Sequence, residues 1–248
     1  EGRGRLGPIG DYAAAVNSVM TPLRVSFDLS ATFQQGMRMW LTNPKAAGQY
    51  WWTEMRSLVD DKVYDGALLR LNTDGPGLDY HVSRGLRYTG DASQGEFLMP
   101  RSVLDRAGRA GPIGRAVNTT FTKSNQAFSR TLNLYRVHMA NSQYQRLAAA
   151  GLEGADLDEA MRQSTRGINR MFGWTETTPT TIEQAAVFAP RYTRASVETL
   201  VKALEFGTIE GSMARTHMGL LLAEGAAAVF LLNELRGYET EWDPREAN

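Results

Sequence analysis

The segment from Met218 to Leu232, MGLLLAEGAAAVFLL, constrains the fold of this chain most, because it holds fifteen residues and a single charge, Glu224. As a helix it would extend about 22 Å, whereas the hydrocarbon core of a bilayer is about 30 Å thick and needs about 20 apolar residues. A charge near the middle opposes insertion by at least ~2.5 kcal/mol. We therefore expect a helix from about Ile209 to Leu235, buried on most sides, with Glu224 facing a basic partner or water.

The same segment has a second interpretation, in which the helix enters or lies on a membrane. Its small residues, 226–228, would let helices approach closely, and Met213 and Leu235 would lengthen the apolar stretch. Both interpretations depend on the side chains of Leu220, Leu221, Leu222, Glu224, Phe230 and Leu231.

The remaining sequence predicts helices, because apolar residues recur at helical spacing and no stretch alternates convincingly between apolar and polar residues. We expect an all-α fold, an irregular multi-helix bundle with a long central Gly-rich loop over residues 72–97. The alternative for this loop is that it contains one short helix. The domain prediction is N-terminal helices and loop over 1–98 and a helical region over 99–248, or one continuous domain.

Local signals place several helix boundaries. Asn43 followed by Pro44 is typical of a helix start, and Gly151 is typical of a helix end. Asp156 or Asp158 is the predicted cap of the next helix. Farther along, one helix aligns four apolar residues, Val197, Leu200, Val201 and Leu204.

The search for catalytic chemistry finds no motif. The 248 residues contain no cysteine and three histidines, which lie far apart at 81, 138 and 217, and no phosphate-binding loop or nucleophile elbow is present. The acidic cluster at 156–159 fits helix capping better than catalysis. We therefore expect no enzyme activity, no catalytic residue, no cofactor and no metal site.

Two residue sets are candidates for contacts with partners. Large apolar side chains are concentrated in one N-terminal region and are expected at a protein interface: Trp40, Trp51, Trp52 and Met55. Residues 99–150 contain eight basic residues against one acidic residue, Asp105. Nucleic acid or an acidic partner would contact Arg101, Arg106, Arg109, Arg115, Arg130 and Arg136. The alternative is pairing with acidic residues of the same chain, such as Glu234, Glu239, Glu241 and Asp243.

Four segments in order resemble patterns of one protein family. They are SFDLSATFQQGMRMWLTNPKAAGQYWWTEMRSL, SNQAFSRTLNLYR, VFAPRYTRASVETL and YETEWDPREAN, and the resemblance that they carry covers most of residues 26–248. Their order is similar to that of the large polyvalent proteins of tailed phages, which are packaged and injected with the genome. The family pattern has a carboxylate after the serine of the second segment, where this chain has Asn125.

The resemblance implies a section of a longer polypeptide, in agreement with a first residue that is not Met. It implies a non-catalytic structural section of an internal virion or ejection protein, oligomeric inside the capsid or around the portal. Expected partners are other virion proteins and copies of itself, with genomic DNA, and a membrane after ejection, as further possibilities. The expected location is the virion interior, and then the host envelope or cytoplasm. The alternatives are an accessory helical section of a virion-packaged polymerase or hydrolase, and a soluble helical adaptor.

Overall fold

The computed structural model describes residues 39–40, 42–88, 111–175 and 190–238. These residues form helices and no strand, which confirms the predicted all-α fold. The helices are α1 (Pro44–Ser57), α2 (Lys62–Thr73), α3 (Leu78–Ser83), α4 (Gly111–Ala149), α5 (Gly154–Met171), α6 (Pro190–Ala203) and α7 (Ile209–Arg236).

Cap chemistry sets several of these boundaries. The Asn43 side chain accepts a hydrogen bond from the backbone N–H of Ala46 at 3.1 Å, with Pro44 in the first turn, as predicted. Gly151 follows α4 with φ of 86°, which confirms the predicted helix end. The predicted acidic cap of α5 is wrong: the helix begins at Gly154, and its N-cap residue Glu153 makes no side-chain capping bond.

Helix α4 is the centre of the bundle. It packs against α1, α2 and α3 and also against α5. Every side chain from Thr131 to Val137 is buried, and seven consecutive residues cover all sides of a helix. The middle of α4 is therefore enclosed. The hydrophobic core around it comprises Met39, Ala46, Ala47, Tyr64, Leu71, Leu86, Leu132, Leu134, Tyr135, Val137, Met139, Ala140, Ile168, Met171, Phe172 and Met213.

Polar side chains on α4 join the neighbouring segments. The Asn141 amide nitrogen donates to the carbonyl oxygen of Leu71 at 2.7 Å, and its oxygen lies 2.7 Å from Nε2 of the buried His81. The Asn141 side chain packs closely against Gly75, because a Cβ atom added at position 75 would lie 2.3 Å from the Asn141 side-chain oxygen. This amide therefore links α4 to the end of α2 and to α3.

The predicted central loop is only partly a loop. Within it, α2 continues to Thr73, α3 occupies Leu78–Ser83, and the following residues are held on α5. Asn169 on α5 donates to the carbonyl of Gly85 and accepts from the backbone N–H of Arg87, both at 2.8 Å. Residues 89–97 of the predicted loop lie outside the described residues. The hydrophobic core includes residues from both sides of residue 98, and the domain division there stays a prediction.

Helices α6 and α7 pack against α5 and against each other. The prediction for α7 is confirmed in its bounds, which differ by one residue at the C-terminal end. It is wrong in its burial: Met213 and Ala214 are buried, whereas Leu220 and Leu221 are partly exposed and Leu222 is 71% exposed.

Candidate functional site

The predicted tryptophan interface divides into covered and exposed members. Trp40 packs against the hydrophobic core, and Trp51 and Met55 are half-buried. Trp52 is the exposed member, with the guanidinium of Arg56 5.3 Å from its ring. The chain therefore covers much of this set itself, and the role of Trp52 at an interface stays a prediction.

The structure describes the side chains of two of the six arginines in the predicted basic surface. Arg101, Arg106 and Arg109 lie outside the described residues, and the side chain of Arg115 in α4 is likewise not described. The structure therefore does not test a shared surface formed by the set. The two arginines that it describes, Arg130 and Arg136, both bind other residues of this chain.

Arg136 is a structural residue of the core, so its predicted contact with nucleic acid is wrong. Only 6% of the residue is exposed. One terminal nitrogen donates to the carbonyl oxygen of Phe172 at 3.3 Å, and the other lies 3.5 Å from the side-chain oxygen of Asn133. A guanidinium buried among these groups cannot reach a phosphate backbone without opening the bundle.

Arg130 pairs with an acidic residue that was not among the predicted partners. It forms an ion pair with Asp61, at the start of α2, and lies 5.2 Å from the ring of Tyr64. The hydrogen bond from Arg130 lowers the pKa of Asp61. The pair joins α2 to α4. Arg130, which was expected to contact a partner, therefore binds an acidic residue of its own chain.

The most enclosed ionic network lies where α5, α6 and α7 meet. Buried Glu210 accepts from Arg166 Nε and from Arg170 Nη1, each at 2.6 Å. Arg170 also lies 3.6 Å from Glu198, which accepts a hydrogen bond from Thr175. The sequence signal for this network is the spacing of Arg166 and Arg170, which places both on one face of α5; their shared carboxylate is 40 or more residues away.

A cavity of about 370 Å³ lies beside this network, between α5, α6 and the turn at Trp174. Arg166 and Arg170 both bind Glu210, and Lys202 binds Glu205 at 2.7 Å, so the three cations of its wall already have carboxylate partners. Across the described ranges, no group of three or more His, Cys, Asp or Glu is placed to hold a metal ion. The ion pairs of Arg170 with Glu198 and Glu210 beside this cavity join α5 to α6 and α7.

Helix α6 turns its apolar side outward. Ala195 and Thr199 are buried, whereas the four residues that the sequence aligns are at least half exposed. Leu200 is 50% and Leu204 is 76% exposed, and Phe206 in the following turn is 79% exposed. Helical periodicity predicted this stripe, but the small face of α6, rather than the stripe, packs on the bundle. We refer to Val197, Leu200, Val201, Leu204 and Phe206 as the α6 stripe.

Helix α7 exposes a second apolar surface along its C-terminal two thirds. It is the one helix in the described part of the chain whose length and composition would allow it to cross a membrane. Its most apolar 18-residue window has a mean hydropathy of 1.5, and none of that window is buried. The exposed large side chains include Leu222, Val229, Phe230, Leu231, Leu232 and Leu235.

The α6 stripe and the exposed C-terminal two thirds of α7 are thus the candidate functional surfaces among the described residues. Comparison with known proteins found no matching family model, no similar curated protein and no similar solved structure.

Proposed function

We propose that this chain is a non-catalytic structural section of an internal virion or ejection protein of a tailed phage. It packs through its helices against neighbouring subunits, including copies of itself, in the virion interior. The order of the four segments that resemble the large polyvalent proteins supports the phage assignment. The α6 stripe is the observation that carries the packing role.

The α6 stripe has the geometry of a helix-packing face. Val197, Leu200 and Val201 are spaced i, i+3 and i+4 on α6, which gathers them within about 100° of the helix circumference. Leu204 continues the stripe at i+7, directly after the last helical residue. Burial of apolar surface stabilises a complex by about 25 cal/mol per Å² before the costs of association. An amphipathic helix laid along this face would bury all four side chains at once.

The border of the stripe is polar, as in protein interfaces with an apolar centre. Lys202 and Glu205 form an ion pair beside it, and Glu198 is partly exposed on the same helix. These groups can remain in water when the stripe is covered. The surface therefore favours a protein partner that contacts one side of α6.

Sedimentation velocity of the 248-residue chain tests this proposal. The wild type is expected to self-associate, and Leu204→Lys is expected to weaken association about tenfold or more, because it places a charge within the apolar contact. Leu69→Lys is the matched control, since Leu69 is 65% exposed on α2, outside the stripe.

A wild-type chain that stays monomeric across the concentration range would contradict the proposal. So would association that Leu204→Lys leaves unchanged. Circular dichroism of each variant establishes that its helices are intact, so loss of association cannot be confused with loss of folding.

A further inference from the structure

The two parts of α7 have different surroundings. From Ile209 to His217 the helix packs on the bundle, with Glu210, Met213, Ala214 and His217 all buried. From Met218 to Arg236 no described side chain is buried. We call residues 218–236 the distal segment of α7. It is a continuation of an anchored helix.

Apolar side chains surround the distal segment. Successive residues of a helix are rotated by about 100°, so the exposed side chains of Val229, Phe230 and Leu235 point in three directions at least about 100° apart around the helix axis. A single protein partner covers one face of a helix, as the α6 stripe would allow. A helix that is apolar on all sides needs to be enclosed, either inside a large protein core or inside a membrane.

The length of the distal segment matches a bilayer. Nineteen residues, 218–236, extend about 28 Å as a helix, against about 30 Å for the hydrocarbon core. The fifteen-residue run seen in the sequence was too short for this, but α7 continues through Leu235 before Gly237 ends it with φ of 72°.

The two ends of the segment suit the charged surfaces of a bilayer. At the bundle end, Arg215 lies one turn before the segment, where it donates to the carbonyls of Ala203 and Glu205. At the far end, Arg236 and Tyr238 are exposed. Arginine and tyrosine are favoured at the level of lipid headgroups, where the phosphates are anionic.

We propose that the distal segment of α7 inserts into a lipid bilayer while the bundle formed with α4 and α5 stays on one side. This goes beyond the proposed packing function and depends on a different helix. Glu224, the seventh of the nineteen residues of the segment, is a charge within the hydrocarbon core and opposes insertion, so replacing it should increase the bound fraction. The partner is the lipid itself, and a second copy of the chain is the competing outcome.

Vesicle flotation of the 248-residue chain tests the proposal with phosphatidylcholine vesicles, with and without phosphatidylglycerol. We expect the wild type to float with both and to resist a salt wash. Glu224→Leu should raise the partition coefficient at least about tenfold, and Leu231→Lys should lower it by a similar factor. Leu69→Lys, on α2, should not change it.

Site-specific labelling gives a second readout, because the chain has no cysteine. An environment-sensitive dye on Leu231→Cys should shift to shorter wavelength on addition of vesicles and become protected from iodide. The same dye on Leu69→Cys should show neither change. Circular dichroism of both labelled chains monitors their helix content.

Three results would overturn the proposal. The first is a wild-type chain and a Glu224→Leu chain that both stay with the soluble fraction. The second is flotation only with phosphatidylglycerol that salt reverses, which would indicate surface binding through arginines. The third is a distal segment shielded from iodide without vesicles in an oligomer that Leu231→Lys disperses, which would indicate a second copy. None of these results depends on the α6 stripe, which Leu204→Lys tests separately.

Discussion

The two longest helices in the described part of the chain, α4 and α7, show the opposite of the burial that their composition predicts. The middle of α4 is buried although it includes Thr131, Asn133 and Arg136, whereas distal α7 is exposed although it is the most apolar run in the sequence. Hydrophobicity alone would place these two helices the other way round.

The difference lies in what surrounds each helix within one chain. The polar groups of α4 are buried together with partners: Arg136 has the carbonyl of Phe172, and Asn141 has Leu71 and His81. A buried polar group with partners costs little. Distal α7 extends beyond the helices that would cover it. Among the described residues it therefore remains an exposed apolar surface, which is the surface that the bilayer proposal uses.

Matched leucine truncations should give the largest effect. Leu134→Ala, at a fully buried position of α4, should lower the free energy of unfolding by about 2–5 kcal/mol, because it removes packed atoms and leaves a cavity. Leu222→Ala, at an exposed position of α7, should change it by less than about 0.5 kcal/mol. Urea denaturation of both variants without lipid is the measurement. Equal losses would mean that distal α7 is packed within the chain in solution.

The features that could be predicted from the sequence are those fixed by local chemistry. Asn43 and Pro44 define the start of α1 because the cap and the first turn are neighbours in sequence. The bounds of α7 and the alignment of the α6 stripe follow in the same way from periodicity. None of these depends on a distant residue.

The features that could not be predicted depend on long-range contacts. Periodicity shows that Leu200 and Leu204 share a face of α6, but not whether that face or the one with Ala195 packs on α5. The burial of Arg136 depends on a carbonyl 36 residues away. For distal α7, the apolar composition predicted burial. Within the described ranges, however, no neighbouring helix buries its side chains.

Removing the Asn141 amide should give the second largest effect. Asn141→Leu keeps the size of the side chain but leaves the Leu71 carbonyl and the His81 Nε2 hydrogen without their partner. We expect a loss of about 2–4 kcal/mol in the free energy of unfolding, since each buried unpaired group costs about 1–3 kcal/mol. Gln145→Leu is the control, because its amide also donates to a carbonyl, that of Asp74, but is exposed. Similar losses for both would show that burial does not strengthen the α4 contacts.

The smallest predicted effect is an acid sensitivity that arises at the buried His81 of α3. The Asn141 nitrogen donates to Leu71, so its oxygen accepts from Nε2 of His81, and the neutral ring keeps its lone pair on Nδ1. In the described part of the chain Nδ1 has no hydrogen-bond partner. Burial lowers the pKa of His81; the hydrogen bond with Asn141 opposes this to a smaller extent, and the charge of Arg84 adds a still smaller lowering of the pKa.

Because the folded chain binds this proton less readily than the unfolded chain, stability should fall as the pH drops below about 6.5, the ordinary pKa of histidine. One such group contributes at most about 1.4 kcal/mol per pH unit, until the pH passes below the lowered pKa of the folded state. Burial also lowers the pKa of His138, so it acts in the same direction. The pKa of Asp158 is lowered mainly by Arg84, and its contribution is lost only at a more acidic pH. Urea midpoints at pH 7.5, 6.5 and 5.5 should therefore decline less steeply for His81→Gln than for the wild type. Equal slopes would show that His81 is not the titrating group.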